Sequence, residues 1–253
     1  MPYKRYDITN TYSSRGRRKN ENVVFKTIML FLIPVLIVAV LLGGAYISYR
    51  LILDDMYVEP VKPVSTTDEV LLHEEELLRI VNEYEPLEST FVPELTTVNG
   101  VEVNALCADS LNEMINAAKA QNITLTIKEG YVSYDEQAKL HNDTYEKLKK
   151  SGKYSQIKAE AEAKKTCPPA GCSERQTGFL IEFDSPVGSD SYKWLVKYSV
   201  NYGFILRYPE AKESETSMSF NPNLYRFVGS EASANIRRYD MSLEEYATHV
   251  SIR

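Results

Sequence analysis

The chain has 253 residues and a formal net charge of −6, with 43% apolar and 25% charged side chains. That composition is globular and excludes a disordered protein. Residues 1–50 carry eight basic and two acidic side chains, and the rest of the chain carries 21 basic and 33 acidic. So acidic a bulk lacks the basic footprint that nucleic-acid binding needs, and a nucleic-acid partner is excluded. Three cysteines (Cys107, Cys167, Cys172) are too few for a disulfide scaffold and allow at most one intrachain bridge.

Residues 1–26 are Ser-, Asn- and Arg-rich and read as a disordered basic tail; the same charges would also attract anionic lipid. From Thr27 to Tyr49 no charged residue occurs. The run TIMLFLIPVLIVAVLLGGAYISY is long enough to cross a hydrocarbon core of about 30 Å. Basic residues precede it, and Asp54, Asp55 and Glu59 follow. The positive-inside rule then puts the N-terminus in the cytoplasm and the C-terminal domain outside, as a single-pass protein of the cell membrane. A cleaved signal peptide is the competing reading, but the apolar stretch is long for one.

Residues 50–70, with Pro60, Pro63 and Ser/Thr clusters, suit an extracytoplasmic stalk, which leaves 71–253 as the domain. Asp68 is a candidate cap for a helix carrying Leu77, Leu78 and Val81 and ending before Pro86. VNGVEV carries the Asn-Gly signal of a hairpin. The apolar spacing predicts helices over 106–120, 134–150 and 153–165, and alternation predicts a strand in ITLTIKEGY. GFLIEF reads as a buried strand and residues 192–202 as a helix. FILRYP and NLYRFVG read as strands, and SLEEYATHV as a last helix opened by a Ser242–Glu245 capping box. Helices and strands mix without βαβ alternation. The class is therefore α+β, with a small mostly antiparallel sheet and flanking helices behind one transmembrane helix.

Four segments in order carry a resemblance: LNEMINAAKAQNITLTIKEGYVSYDEQ, GCSERQTGFLIEF, WLVKYSVNYGFILRYPEAKE, and NPNLYRFVGSEASANI followed by SLEEY. Together they resemble the VanY-type D-alanyl-D-alanine carboxypeptidases, over roughly Leu78 to Tyr246. The resemblance implies a zinc peptidase of peptidoglycan metabolism. In that family the motif Ser-x-His-x-x-Gly-x-Ala-x-Asp supplies a His and an Asp to the metal. A later Glu-Pro-Trp-His supplies the general base and the third ligand, leaving one zinc position for the attacking water. An Arg in a Ser-Gly-Tyr-Arg-Ser block holds the substrate's terminal carboxylate.

This sequence departs at each of those positions. Arg175 stands at the first ligand, Glu182 at the Asp ligand, Asn221 at the base, Asn223 at the Trp, Leu224 at the second His and Val132 at the carboxylate-binding Arg. Arg cannot lose its proton to ligate a cation, Leu has no lone pair, and Asn is no base near neutral pH. Zinc is accordingly expected to be absent. Arg175 and Glu182 are expected to pair where the metal would sit. The function expected is a pseudopeptidase that binds wall peptide or scaffolds an envelope complex, with an active carboxypeptidase as the alternative.

Arg175 reads either as a ligand-binding cation or as half of a structural ion pair. Tyr131, Ser133 and Gln137 read either as a surviving peptide-binding wall, with Arg175 and Glu182, or as packing and capping. Trp194, Tyr202, Phe204 and Tyr208 read as core. Cys167 and Cys172 flank Pro-Pro-Ala-Gly, a turn that could bring them into a disulfide in an oxidising compartment. His73, His141 and His249 fall outside the motif positions.

Overall fold

The computed structural model describes Gly44 and residues 74–251. The tail, the apolar segment (helical Gly44 apart) and the stalk expected at 50–70 lie outside the described residues. Among the described residues no helix is long and apolar enough to cross a membrane. Every element from residue 74 onward belongs to one unit, Glu59–Arg253.

The first two strands, β1 (Leu95–Val98) and β2 (Val101–Asn104), form the expected hairpin. Its two turn residues, Asn99 and Gly100, both have positive φ, at 51° and 84°. That is the primed turn whose twist matches paired strands and which Asn-Gly adopts at little cost. After one 3₁₀ turn the chain enters α1 (Ala108–Ala120), which buries Leu111, Met114 and Ala118 at helical spacing.

The strand expected from ITLTIKEGY is shorter than its alternation suggests. Only β3 (Ile127–Glu129) pairs with its neighbour β4 (Leu180–Phe183), and Ile123 N is instead bonded to Ala118 O at the end of α1. Between them run α2 (Tyr134–Lys150) and α3 (Gln156–Thr166). Next comes α4 (Asp190–Tyr198), capped by Ser189 and tightening into a 3₁₀ turn over Ser199–Tyr202, where a longer helix was expected. That turn stops at Gly203, where φ is +80° and a Cβ would lie 2.7 Å from the Phe227 ring.

The strands β5 (Phe204–Tyr208) and β6 (Asn221–Phe227) complete a four-stranded sheet of order β3-β4-β6-β5, antiparallel throughout. Two helices close the domain, α5 (Ser230–Tyr239) and α6 (Leu243–Ser251). Helix α5 was not expected from the sequence. The Ser242–Glu245 capping box of α6 forms as expected: Glu245 N donates to Ser242 Oγ, and Ser242 N donates to the Glu245 carboxylate.

Strand alternation gives the sheet two unlike faces. Ile181, Phe183, Phe204, Tyr225 and Phe227 point into the main core with Leu111, Met114, Trp194 and Leu195. Trp194 and Phe204 thus pack as read from sequence. Tyr202 packs against the same core, and Tyr208 lies in a smaller cluster with Leu180, Leu224 and partly buried Met218. The opposite face carries Glu182, Leu224, Arg226 and Arg207, and on this face the candidate site lies.

Candidate functional site

Four pieces of chain meet at the site. A 3₁₀ turn, Glu174–Thr177, is opened by Ser173, whose hydroxyl accepts from Arg175 N, and closed by Gly178 at φ 71°. The Arg175 carbonyl accepts from Val132 N at 3.2 Å, which ties this turn to the segment after β3. Glu182 lies on β4, in register with Leu224 on β6 and opposite Glu129 on β3, where the register shifts between Ile127 and Glu129.

Arg175 Nη2 donates to Glu182 Oε2 at 2.6 Å, and Nη1 pairs with the Glu129 carboxylate. The Arg175 side chain is 14% exposed, that of Glu182 24% and that of Glu129 33%. One guanidinium thus bridges two carboxylates on adjacent strands at the edge of solvent. The expected Arg175–Glu182 pair is present. Glu129, which sequence reasoning missed, is its third member. A signal for it existed: in Glu129-Gly130-Tyr131-Val132-Ser133, read against Ser-Gly-Tyr-Arg-Ser, Glu129 falls at the first Ser.

The other motif positions are turned to structural work. Leu224 is buried against Leu180 and Tyr208. The Asn221 side chain accepts from Asn223 N at 3.0 Å, and Asn223 Oδ1 accepts from the Ser185 hydroxyl at 3.2 Å. Val132 is buried.

Of the proposed peptide-binding wall, two members have packing roles. Ser133 caps α2 in a reciprocal box with Glu136. Gln137 is fully buried and donates to Pro168 O at 2.6 Å. Tyr131 remains partly exposed, and its phenol is pushed up by burial and then by the nearby Glu136 and Glu102 carboxylates.

The Cys167–Cys172 disulfide read as possible is not formed; both are free thiols. The turn does close, with Cys172 N donating to Pro169 O, but the thiols meet different neighbours. Cys167 Sγ accepts from Gln137 Nε2 at 3.5 Å, whereas Cys172 lies beside Glu83 and Lys164. His141 is engaged outside the motif positions: its Nδ1 meets Cys167 O and its Nε2 faces Glu160.

Beneath the site lies a second charged cluster. Arg207 Nε and Nη2 donate to the two Glu174 oxygens at 2.8 and 2.7 Å, and Nη1 and Nη2 donate to Glu244 at 3.1 and 2.6 Å. Arg226 Nη1 donates to Thr177 Oγ1 and lies 3.4 Å from Glu174; Nη2 donates to the Leu77 and Arg79 carbonyls. Burial alone would raise the Glu174 carboxyl, but Arg207 and Arg226 outweigh it and hold it below the usual range. These four residues fasten β5, β6, the 3₁₀ turn and α6 together, and so hold the backbone that presents Arg175.

The sequence profile of the VanY family, D-alanyl-D-alanine carboxypeptidase, matches residues 100–230. The chain belongs to the VanY family. A D-alanyl-D-alanine carboxypeptidase of Enterococcus faecalis is 30% identical over 174 residues, 67% of this chain and 65% of that protein. The chain therefore spans about two thirds of that VanY relative's length. The vancomycin-resistance D,D-pentapeptidase VanY, solved with Zn(II), superposes with a TM-score of 0.63 at 30% identity, covering 68% of this chain and 99% of the other. The LD-carboxypeptidase LdcB superposes at 0.59 with 27% identity, over 75% of this chain and 92% of that one.

The zinc that VanY membership implies does not fit the residues present. The position of the first ligand is a cation already engaged with two carboxylates, and that of the last is a buried leucine. Among the described residues no three His, Cys, Asp or Glu side chains converge as a metal site would require.

Proposed function

We propose that this chain is a membrane-anchored VanY-fold protein with its domain outside the cytoplasm. In this reading it does not hydrolyse D-alanyl peptides and works by contact with partners in the cell envelope. The observation that carries the reading is Arg175 bridging Glu129 and Glu182 where the family's metal chemistry begins. Hydrolysis by the family route needs a metal-activated water and a base beside it. Asn221 cannot supply the base, and Val132 cannot hold a terminal carboxylate by ion pairing. Leu224, packed into a closed cluster, supports a scaffolding role over catalysis. Tyr131, Glu129 and Glu182, which keep some exposure, support a secondary role in touching wall peptide.

Elemental analysis of the purified full chain, beside a D-Ala-D-Ala release assay, tests this. The expected result is neither stoichiometric zinc nor released D-alanine. Release of D-alanine with zinc bound would overturn the reading and favour the active metallo-carboxypeptidase that family membership alone suggests. Titration with a muropeptide ending in D-Ala-D-Ala then separates wall-peptide binding from scaffolding.

A further inference from the structure

Glu129 and Glu182 are cross-strand partners on an antiparallel pair, brought opposite each other by a register shift between Ile127 and Glu129. Like charges directly opposite are destabilising, and here both are partly withdrawn from water. A cation between the carboxylates removes that repulsion and favours this pairing of the two strands. Arg175 is that cation, locked from behind by its backbone bonds to Val132, Ser173 and Gly178.

We propose that Arg175 is a built-in replacement for the metal ion: the site still requires a cation, and the chain supplies it covalently. This rests on the non-hydrolytic reading above and adds that the fold has become metal-independent through three coupled replacements, at positions 129, 175 and 182. A guanidinium is suited to this because it is permanently charged and its planar fork reaches two carboxylates at once. A divalent ion offered to the wild-type chain must displace a tethered partner, so it gains nothing.

The consequence is a latent metal site one substitution away. Arg175→His removes the cation and places an imidazole beside two carboxylates, a three-donor set of the kind that holds zinc. The experiment is thermal unfolding and isothermal titration of the full chain with zinc chloride, for the wild type, Arg175→His, and Arg175→His combined with Glu129→Gln. The wild type is expected to show no zinc-dependent rise in Tm and no loss on chelation. Arg175→His is expected to unfold at lower temperature without metal. At zinc 100 times its Kd it should recover by about 5–10 °C. Adding Glu129→Gln should reduce that recovery by at least half.

If Arg175→His folds only when zinc is present, a refolding yield that rises with zinc and falls with Glu129→Gln carries the same conclusion. A wild type whose Tm drops on chelation would overturn the proposal. So would an Arg175→His variant with no more response to zinc than the wild type. D-alanine release by the wild type would instead sink the non-hydrolytic reading, so the two failures are distinguishable.

Discussion

Glu129 and Glu182 face each other across β3 and β4, and the Arg175 guanidinium is bonded to both. Each pairing therefore depends on the other. Removing one carboxylate relieves repulsion and also costs an ion pair, so single substitutions understate the coupling. A double-mutant cycle on Arg175→Ala and Glu182→Gln, followed by urea unfolding, is expected to give a coupling energy of about 0.5–3 kcal/mol. Of the two single changes in this cycle, Arg175→Ala should be the more damaging, since it strands two partly buried like charges. Additive effects would mean that the bridge is an exposed contact of no consequence.

The buried cluster is predicted to matter more for stability than the bridge above it. Glu174 and Arg207 side chains are 1% and 2% exposed, and Arg226 is fully buried. Glu174→Gln leaves two guanidiniums without their shared carboxylate. Breaking a buried pair from one side costs about 3–5 kcal/mol. The measurement is the change in unfolding midpoint at neutral pH, and a loss under about 1 kcal/mol would contradict the prediction.

The same carboxylate fixes the sign of an acid response. The folded-state Glu174 carboxyl is held below its ordinary value by Arg207 and Arg226, against burial. Its stabilisation is therefore complete above the unfolded value of about 4.3 and is lost as pH falls through the lower folded value. Tm should be flat near neutrality and fall steeply below about pH 4, and Glu174→Gln should flatten that acid limb. An unchanged acid limb in the variant would assign acid unfolding to other carboxylates.

The fold was legible because its elements carry local signals. Asn99-Gly100 marks its turn, Ser242 and Glu245 mark a helix start, and Ile181, Phe183, Tyr225 and Phe227 alternate toward one core. Pairing limits were not legible: Ile123 and Leu125 alternate like strand residues, yet Ile123 N bonds Ala118 O and only Ile127 and Glu129 find partners on β4. In the site, Arg175 and Glu182 could be read together because they share one motif. Glu129 lies 46 residues before Arg175; its motif position marked it as changed, but only the strand pairing shows that it meets Arg175. Arg207 and Arg226 went unread, although each is a charge inside an apolar strand, in FILRYP and NLYRFVG, a pattern that signals a buried partner. Their partners, Glu174 and Glu244, come from a turn and a distant helix, which no spacing rule connects.

Gly178 tests how tightly the site's turn is seated. Its φ is +71°, and a Cβ there would come within 2.7 Å of Asn104 N, whose own N–H donates to Gly178 O at 3.0 Å. Gly178→Ala therefore combines left-handed strain with a backbone clash, and neither can relax by side-chain rotation. A loss of about 2 kcal/mol or more is expected, whereas Gly152→Ala, with open space around a comparable φ of +67°, should lose only the conformational part, about 1 kcal/mol. Equal losses at both positions would show that the clash at Asn104 is absorbed.

Thiol chemistry offers a last check, because the three cysteines differ in surroundings. Cys107 is fully buried, its Sγ donates to Asn104 O at 3.2 Å, and burial pushes its thiol up to about 12. Its thiolate is therefore scarce at pH 8, and the reagent cannot reach it without unfolding. Cys167 and Cys172 are also raised by burial but are only partly covered. Iodoacetamide on the native, unreduced full chain, read by peptide mass, should modify Cys172 and Cys167 first and Cys107 only at the rate of global opening. Modification of Cys107 as fast as Cys172 would show that the packing around α1 opens locally. Failure of both Cys167 and Cys172 to react until a reductant is added would restore the disulfide that their spacing suggests.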